Sequence, residues 1–536
     1  MATRSAAKVR VLNSHSALSE QMSMLRHWLL PTIMAIGIGI LVLMIGGLPM
    51  KWGLLVIVGL LLPAALLFVS DRRRLLEIGL MLSFGLTLDV HLGNDPTHEV
   101  DPAGVPVSLT GLLVCGLVGW WVASRMEDQR SPVHWGGLGW LIGGLWATSI
   151  WSVIGSSEPR FGVYALINMA YFTLMYAYLV NNITSREHLR LLVNCLMIAV
   201  VTTSIVALMQ AVFGRPDELM ALGMVDKDKR LAIEDTDVMR VGGLMGSANG
   251  LATVLVQMLP LLLAYLLSPP AGYPTWLMAS GFGIGLVALV VTYSRGGWLA
   301  FAVTLVVMIP IMSLSRINIL TRKTLKQIVL AACLMALLAA PFYGNIVARL
   351  TADDRGSAYS RIIMAQVAWR MIRDNPVFGV GLGNYENVMD RYDSGPQYAH
   401  KDFRWPVHNI YLNIAAEGGL LGGLCFLLTC MMALWIGWQA TRVEDAFLRA
   451  TAVGLLVGLI GFLLVGMKEL GPLGSGMYRW FWLAVGLLAA IRRLQPAATA
   501  TSCAPAVESG RSPAIHQSWL SQRARLTRYS WRGLQR

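Results

Sequence analysis

His408 opens the run His408-Asn409-Ile410-Tyr411-Leu412-Asn413-Ile414-Ala415-Ala416-Glu417-Gly418-Gly419-Leu420, where a polar stretch gives way to a long apolar one. An imidazole at such a boundary titrates near neutral pH and can take a proton from a hydroxyl. Further in, Glu417 carries a carboxylate into the apolar run, where an ionised group costs about 2.5–3.5 kcal/mol or more. A membrane helix keeps such residues only with partners or work to do. Arginines punctuate other boundaries: Arg295 in Ser294-Arg295-Gly296-Gly297-Trp298, Arg240 ahead of Gly242-Gly243-Leu244-Met245-Gly246-Ser247-Ala248-Asn249-Gly250, and Arg361 in the polar stretch before Asp374-Asn375-Pro376. Guanidinium groups bind phosphate-type anions bidentately and do not titrate. A base beside permanent cations at a membrane surface implies group transfer rather than a generic channel.

The elements that must hold these residues follow from composition. Hydrophobic residues make up 55% of the 536 positions and charged residues 14%, against about 25% charged in soluble domains. The expected fold is all-α, a polytopic integral membrane protein. Segments long enough to span fall at 28–48, 53–70, 75–91, 107–124, 138–155, 161–180, 189–213, 249–268, 275–293, 298–315, 325–343, 409–438, 446–466 and 478–493. That is about 14 transmembrane helices. Residues 1–27 read as a polar, basic N-terminal segment, and the apolar run after it has no small-residue cleavage site, so it reads as a retained first helix. Residues 28–493 form the transmembrane domain, and 494–536 a disordered basic tail.

Loop charges set the orientation. Arg72-Arg73-Arg74, Arg125 and Arg130, Arg186 and Arg190, Arg316 with Arg322, Lys323 and Lys326, and Arg442 fall on or beside alternate loops. The positive-inside rule makes those loops and both termini cytoplasmic. Loops 92–106, 156–160, 214–248, 344–408 and 467–477 then face the periplasm of a bacterial inner membrane. The net charge of +13 reflects cytoplasmic retention and contact with anionic membrane lipids, not nucleic acid. Five cysteines (Cys115, Cys195, Cys333, Cys425, Cys430) lie in apolar segments and Cys503 in the tail, with no metal or disulfide spacing.

The large periplasmic loop, 344–408, carries a helical pattern from Tyr359 to Arg373 with Ile362, Ile363, Trp369 and Ile372 apolar, ended by Asp374-Asn375-Pro376. It is expected to lie on the outer leaflet or across a cavity mouth, although a packed loop helix fits as well. Phe378-Gly379-Val380-Gly381-Leu382-Gly383-Asn384-Tyr385 follows. Its glycines suit either an anion cradle or a plain irregular turn. Arg295 reads equally as an anion ligand or as a snorkelling residue with Trp298 in the interfacial belt. Arg240 with Asn249 reads as an anion site or as a helix start with local Asn capping. At about 100° per residue, His408, Tyr411, Leu412 and Ala415 share a helix face, and Glu417 falls on another, above Asn413. Glu417 is therefore expected to pair with another helix, more as a buried structural hydrogen bond than as a catalyst.

The order of these pieces is more specific than any one of them. A basic residue before a Gly/Asn helix start, then S-R-G-G, then N-P-x-x-G-x-G-x-x-x-Y, then H-N-x-Y-L-x-x-x-x-E-x-G-x-x-G resembles the bacterial O-antigen ligase and surface-polysaccharide polymerase family over a core of about 190–466. The resemblance implies a membrane glycosyltransferase that moves a saccharide from undecaprenyl pyrophosphate to an acceptor hydroxyl at the periplasmic face. The acceptor would be the lipid A core for a ligase, or a second lipid-linked glycan for a polymerase. It implies His408 as the catalytic histidine and Arg240, Arg295 and Arg361 as pyrophosphate ligands. Asn409, Tyr411 and Glu417 would be supporting residues. The span count exceeds the dozen or so of the ligases, and the tail lies beyond the resemblance.

The chemistry of the residues agrees. A sugar pyrophosphate already has a good leaving group, so it needs charge neutralisation more than a general acid, and arginines supply that. The acceptor hydroxyl needs a base, which His408 provides. No carboxylate–histidine cluster calls for a metal, and Asp353-Asp354 reads as an exposed turn. The expectation is a metal-independent, cofactor-free displacement with inversion. A transporter or flippase of lipid-linked oligosaccharide is the competing class, and it should show inverted repeats and broken helices in both halves. No such internal similarity is visible. A non-catalytic scaffold, the third class, would need no His408. The tail reads as a contact for anionic lipid or polysaccharide-assembly machinery, and its deletion (495–536) should leave transfer in vitro intact.

Overall fold

The alternation of apolar runs and charged loops appears, in a computed structural model of the chain, as a stack of helices with one small ribbon. The structure describes residues 52–59, 61, 69–95, 103–128, 132–214, 240–317, 326, 337, 340–351, 357–393, 406–468 and 476–494. The expected span 28–48, part of 53–70 (60 and 62–68) and most of 325–343, the loop stretches 215–239, 352–356 and 394–405, and the tail after Leu494 lie outside these residues.

The described helices are α1 (Arg72–Ser83), α2 (Leu109–Asp128), α3 (Gly139–Ile154), α4 (Pro159–Asn182), α5 (Arg186–Phe213), α6 (Ala248–Leu267), α7 (Thr275–Val291), α8 (Arg295–Leu314), α9 (Tyr343–Thr351), α10 (Ser357–Asp374), α11 (Tyr385–Tyr392), α12 (Ile410–Ala440), α13 (Ala446–Val465) and α14 (Tyr478–Leu494). Seven of them, α2, α4, α5, α6, α8, α12 and α13, are long and apolar enough to cross a membrane, and α3 and α7 are shorter apolar helices.

The expected helix over 75–91 is corrected. Helix α1 stops at Ser83, and the chain turns into strand β1 (Asp89–Asp95), which pairs antiparallel with β2 (Ala103–Ser108), Val90 opposite Val107. The alternation Leu88-Asp89-Val90-His91-Leu92 has a period of two, which buries Leu88 and Val90 on one side. That pattern cannot continue a helical stripe.

Helices α6 and α13 form the centre. Of their membrane-length windows 89% and 83% of residues are buried, against 33% in α2 and α8, so the first pair is enclosed by protein and the second exposes an apolar flank. Leu299, Val306, Ile309 and Leu314 of α8 are exposed, as a lipid-facing side requires. Helices α6 and α13 approach closely because Gly454 and Gly458 lack side chains. A Cβ at Gly454 would lie 2.5 Å from Leu261 Cα, and one at Gly458 would overlap the Gln257 carbonyl. Elsewhere, buried Glu77 ties α1 to α4 and α5: it accepts from Arg73 Nε at 3.0 Å and the Tyr178 hydroxyl at 2.5 Å, and lies 2.7 Å from His188 Nε2.

Helix α10 matches the expected amphipathic segment and ends at Asp374. Its inner face is Met364, Val367, Ala368, Met371 and Ile372, packed with α11 and α12. Trp369 and Ile362 point the other way, 61% and 56% exposed. The helix therefore has two apolar aspects, one packed and one open.

Candidate active site

The turn Thr292-Tyr293-Ser294, between α7 and α8, is where two of the candidate arginines, Arg240 and Arg295, meet. Tyr293 is buried and holds a left-handed backbone (φ 51°), a strained conformation for an aromatic residue. Ser294 caps α8 by accepting from the Gly297 N–H at 3.3 Å, which puts Arg295 in the first turn of that helix. Arg240 Nε donates to the Thr292 carbonyl at 2.9 Å. Arg349, on α9, donates from Nε to the Tyr293 carbonyl at 3.2 Å. Both carbonyls follow the end of α7, where a helix dipole favours cations. Trp298 donates its ring N–H to the Leu289 carbonyl at 3.0 Å, so it braces this turn from α8.

Arg240 is positioned by a loop that is itself tightly held. Gln210, buried on α5, exchanges two hydrogen bonds with Gly243: Nε2 donates to the glycine carbonyl and Oε1 accepts from its N–H, each at 2.9 Å. Leu244 N–H donates to Thr203 Oγ1 at 3.0 Å, and Thr87 N–H donates to the Leu244 carbonyl at 2.8 Å. The cap of α6 is Ser247, whose Oγ accepts from Gly250 N–H at 3.0 Å. Asn249 is not the cap; its Oδ1 accepts from Arg240 Nη2. The Gly/Asn segment thus turns the guanidinium rather than merely starting a helix.

His408 is half-buried and precedes the helix rather than lying on its face. Asn409 caps α12, its Oδ1 accepting from the N–H groups of Tyr411 and Leu412, both at 3.0 Å. Its Nδ2 donates to the Met467 carbonyl at 3.3 Å, and Ile410 N–H donates to the Gly466 carbonyl at 2.8 Å. The Tyr411 hydroxyl donates to the Leu463 carbonyl at 3.0 Å. Asn409 and Tyr411 therefore fix the histidine turn to the end of α13. Immediately after those bonded residues comes Lys468, whose Nζ lies 3.2 Å from where a Cβ on Gly296 would be. The Gly466–Lys468 turn links the His408 segment to the first turn of α8 beside Arg295.

Glu417 is 1% exposed, and its Oε1 accepts from the Tyr385 N–H of α11 at 3.4 Å. It pairs with another element, as its helical position requires. Two residues later α12 is interrupted at Gly419, which has φ 69° and ψ −178°. The glycine-rich loop fills the break: Val380 N–H donates to the Ala416 carbonyl at 2.8 Å, Gly381 N–H to the Glu417 carbonyl at 3.1 Å, and Leu420 N–H to the Pro376 carbonyl at 2.8 Å. A Cβ at Gly379 would overlap the Glu417 carbonyl, and one at Gly419 the Val377 carbonyl. Here glycine lets two backbones meet, and the Val380 and Gly381 N–H groups go to helix carbonyls rather than to an anion. Asn384 completes the junction by donating from Nδ2 to the Glu158 carbonyl at 3.1 Å and accepting from Glu158 N–H at 3.2 Å. Arg361 stands half-buried near the start of α10, and the bonds traced through the Thr292–Ser294 turn do not run through it.

Arg349, Lys468 and Gln210 are the residues that reading the sequence did not single out. Arg349 and Lys468 are cations in stretches expected on the same side as His408, which was the available signal. Gln210, a lone amide late in an apolar helix, gave none beyond its polarity.

No curated protein matches the chain. Residues 280–427, which run from α7 through Arg295 and His408 to Glu417 and the interruption in α12, match the family model described as O-antigen ligase. Through that segment the chain is similar to the O-antigen ligase family.

Proposed function

We propose that this membrane protein is a glycosyltransferase that moves a saccharide from undecaprenyl pyrophosphate to an acceptor hydroxyl at the periplasmic face of a bacterial inner membrane, in the assembly of O-antigen or exopolysaccharide. The observation that carries the proposal is the hydrogen-bonded course from Arg240 through the Thr292–Ser294 turn to Arg295, with the Gly466–Lys468 turn joining that place to His408. Cations and an imidazole from the loop before α6, the first turn of α8, the turn before α12 and the segment after α13 support this reading.

The chemistry follows from those groups. Arg240 and Arg295, with Arg361 from α10, bind the donor pyrophosphate and offset the negative charge that grows on it. His408 takes the proton of the acceptor hydroxyl. The acceptor oxygen attacks the anomeric carbon as the bond to the pyrophosphate oxygen breaks, and the electron pair leaves on undecaprenyl pyrophosphate. A single displacement of this kind inverts the anomeric configuration and calls for no metal ion. Asn409 and Tyr411 hold the histidine turn, and Glu417 holds the helix behind it.

An interrupted helix is also a mark of transporters, which use freed backbone groups for ions or substrate. At Gly419 those groups are bonded to the 376–381 loop, which favours a fixed scaffold over a moving one. The test is transfer by purified protein in liposomes given an undecaprenyl-pyrophosphate oligosaccharide, alone and then with lipid A core. Laddering with donor alone identifies a polymerase, and transfer only with core present identifies a ligase. Movement of intact donor across the bilayer without any new glycosidic bond would replace the proposal with transport.

A further inference from the structure

We infer that Lys468 is a donor-binding residue, contacting the pyrophosphate at the end nearest the sugar. The inference rests on the transferase reading above and adds a residue that lies outside the family-matched segment 280–427.

Two independent contacts fix its place. On one side its ammonium lies against Gly296, 3.2 Å from where a Cβ would sit, so it stands over the first turn of α8, next in sequence to Arg295. On the other, the two residues before it are bonded to the histidine segment, Gly466 through the Ile410 N–H at 2.8 Å and Met467 through Asn409 Nδ2 at 3.3 Å. Lys468 thus stands between the arginine turn and the His408 segment. Gly296 is part of this arrangement, because any side chain there would press on the lysine.

Charge argues in the same direction. A lysine beside an arginine, both over the first turn of a 20-residue helix, stands at the positive end of the helix dipole, a setting whose chemistry suits a diphosphate. In the displacement, the bond between the anomeric carbon and the bridging pyrophosphate oxygen breaks, and the electron pair stays on that oxygen. That oxygen is the part of the leaving group closest to the acceptor base, so a cation next to the His408 segment is suited to meet it. Lys468 acts here as a point charge and keeps its proton.

The experiment compares wild type, Lys468→Ala, Lys468→Met, Lys468→Arg and Arg295→Ala as purified full-length proteins. Binding of undecaprenyl pyrophosphate is read by thermal stabilisation, alongside initial rates of transfer from the lipid-linked oligosaccharide. Lys468→Met keeps the aliphatic stem over Gly296 and removes only the charge. Both Lys468→Ala and Lys468→Met are expected to weaken undecaprenyl pyrophosphate binding about tenfold, with Lys468→Arg recovering most of it. Lipid A core, tested as a second ligand, is expected to bind all the lysine variants as it binds wild type. If Lys468→Met binds as wild type does, or if the loss falls on lipid A core and not on undecaprenyl pyrophosphate, the inference is wrong. A wild type that neither binds undecaprenyl pyrophosphate nor transfers sugar would instead overturn the transferase reading itself.

Discussion

Gln210 and Gly243 hold each other through two hydrogen bonds of 2.9 Å, one in each direction, across a gap of 33 residues in the chain. The pair anchors the loop that aims Arg240 at the Thr292 carbonyl. Gln210→Leu leaves the Gly243 N–H and carbonyl without these partners, at a penalty of about 1–3 kcal/mol. The arginine then loses its fixed approach, so the KM for the lipid-linked donor is expected to rise about tenfold with a smaller change in kcat. Initial rates over a range of donor concentrations, with thermal unfolding measured in parallel, check both effects.

Gly379 and Gly419 are expected to tolerate no side chain. Each combines a positive φ with a Cβ position that overlaps another carbonyl. Overpacking costs about 1–3 kcal/mol and the left-handed backbone about 1–2 kcal/mol more. Gly379→Ala and Gly419→Ala should each lower the unfolding temperature in detergent, and together by less than the sum, because they disturb one junction. Gly143, with nothing within 4 Å of its added Cβ, is the control: Gly143→Ala should be neutral or slightly stabilising.

Glu417 is expected to serve the fold rather than the reaction. Glu417→Gln keeps an oxygen for the Tyr385 N–H and should retain transfer to within about threefold, whereas Glu417→Ala should lose about 1–3 kcal/mol of stability. A Glu417→Gln protein that unfolds like wild type yet transfers nothing would make the carboxylate a participant in the chemistry.

Tyr385 gives a prediction with a sign. It lies in the 344–408 stretch, and its hydroxyl donates to the Met364 carbonyl at 3.2 Å. Burial, with Glu417 and Asp393 nearby, pushes its phenol well above the ordinary tyrosine range. The native state therefore favours the protonated form, and this stabilisation is full below the unfolded value of about 10 and lost as pH climbs from there through the raised native value. Tyr385→Phe should cost about 1 kcal/mol equally at pH 6 and pH 8. Above pH 10, wild type should lose stability faster than Tyr385→Phe. Chemical unfolding across that range reads the difference.

Much of the helical frame was legible because membrane-length apolar runs have few alternative folds. Ten of the eleven expected spans from 107–124 to 478–493, all but 325–343, recur as helices whose ends agree to within about four residues. The failure at 75–91 has a clear cause: an apolar run hides the change from helical to alternating period at Leu88–Leu92. The histidine, the arginines at Arg240 and Arg295 and the inward carboxylate stood out because charge in an apolar run is costly. Their support did not. Gln210 reaches Gly243 only through tertiary packing, and Lys468 meets Gly296 from a segment more than 170 residues away. The glycine-rich loop was ambiguous for a related reason: glycines that admit an anion look the same, in sequence, as glycines that admit a helix backbone.

The most direct measurement is release of undecaprenyl pyrophosphate, with glycan transfer, by wild type, His408→Ala and Arg295→Ala reconstituted at equal amounts and shown to unfold alike. The expected result is transfer by wild type, a loss of at least about a hundredfold with His408→Ala, as removal of a general base gives, and a weakened donor response with Arg295→Ala. Wild-type rates from His408→Ala would contradict a reaction in which that imidazole takes the acceptor proton.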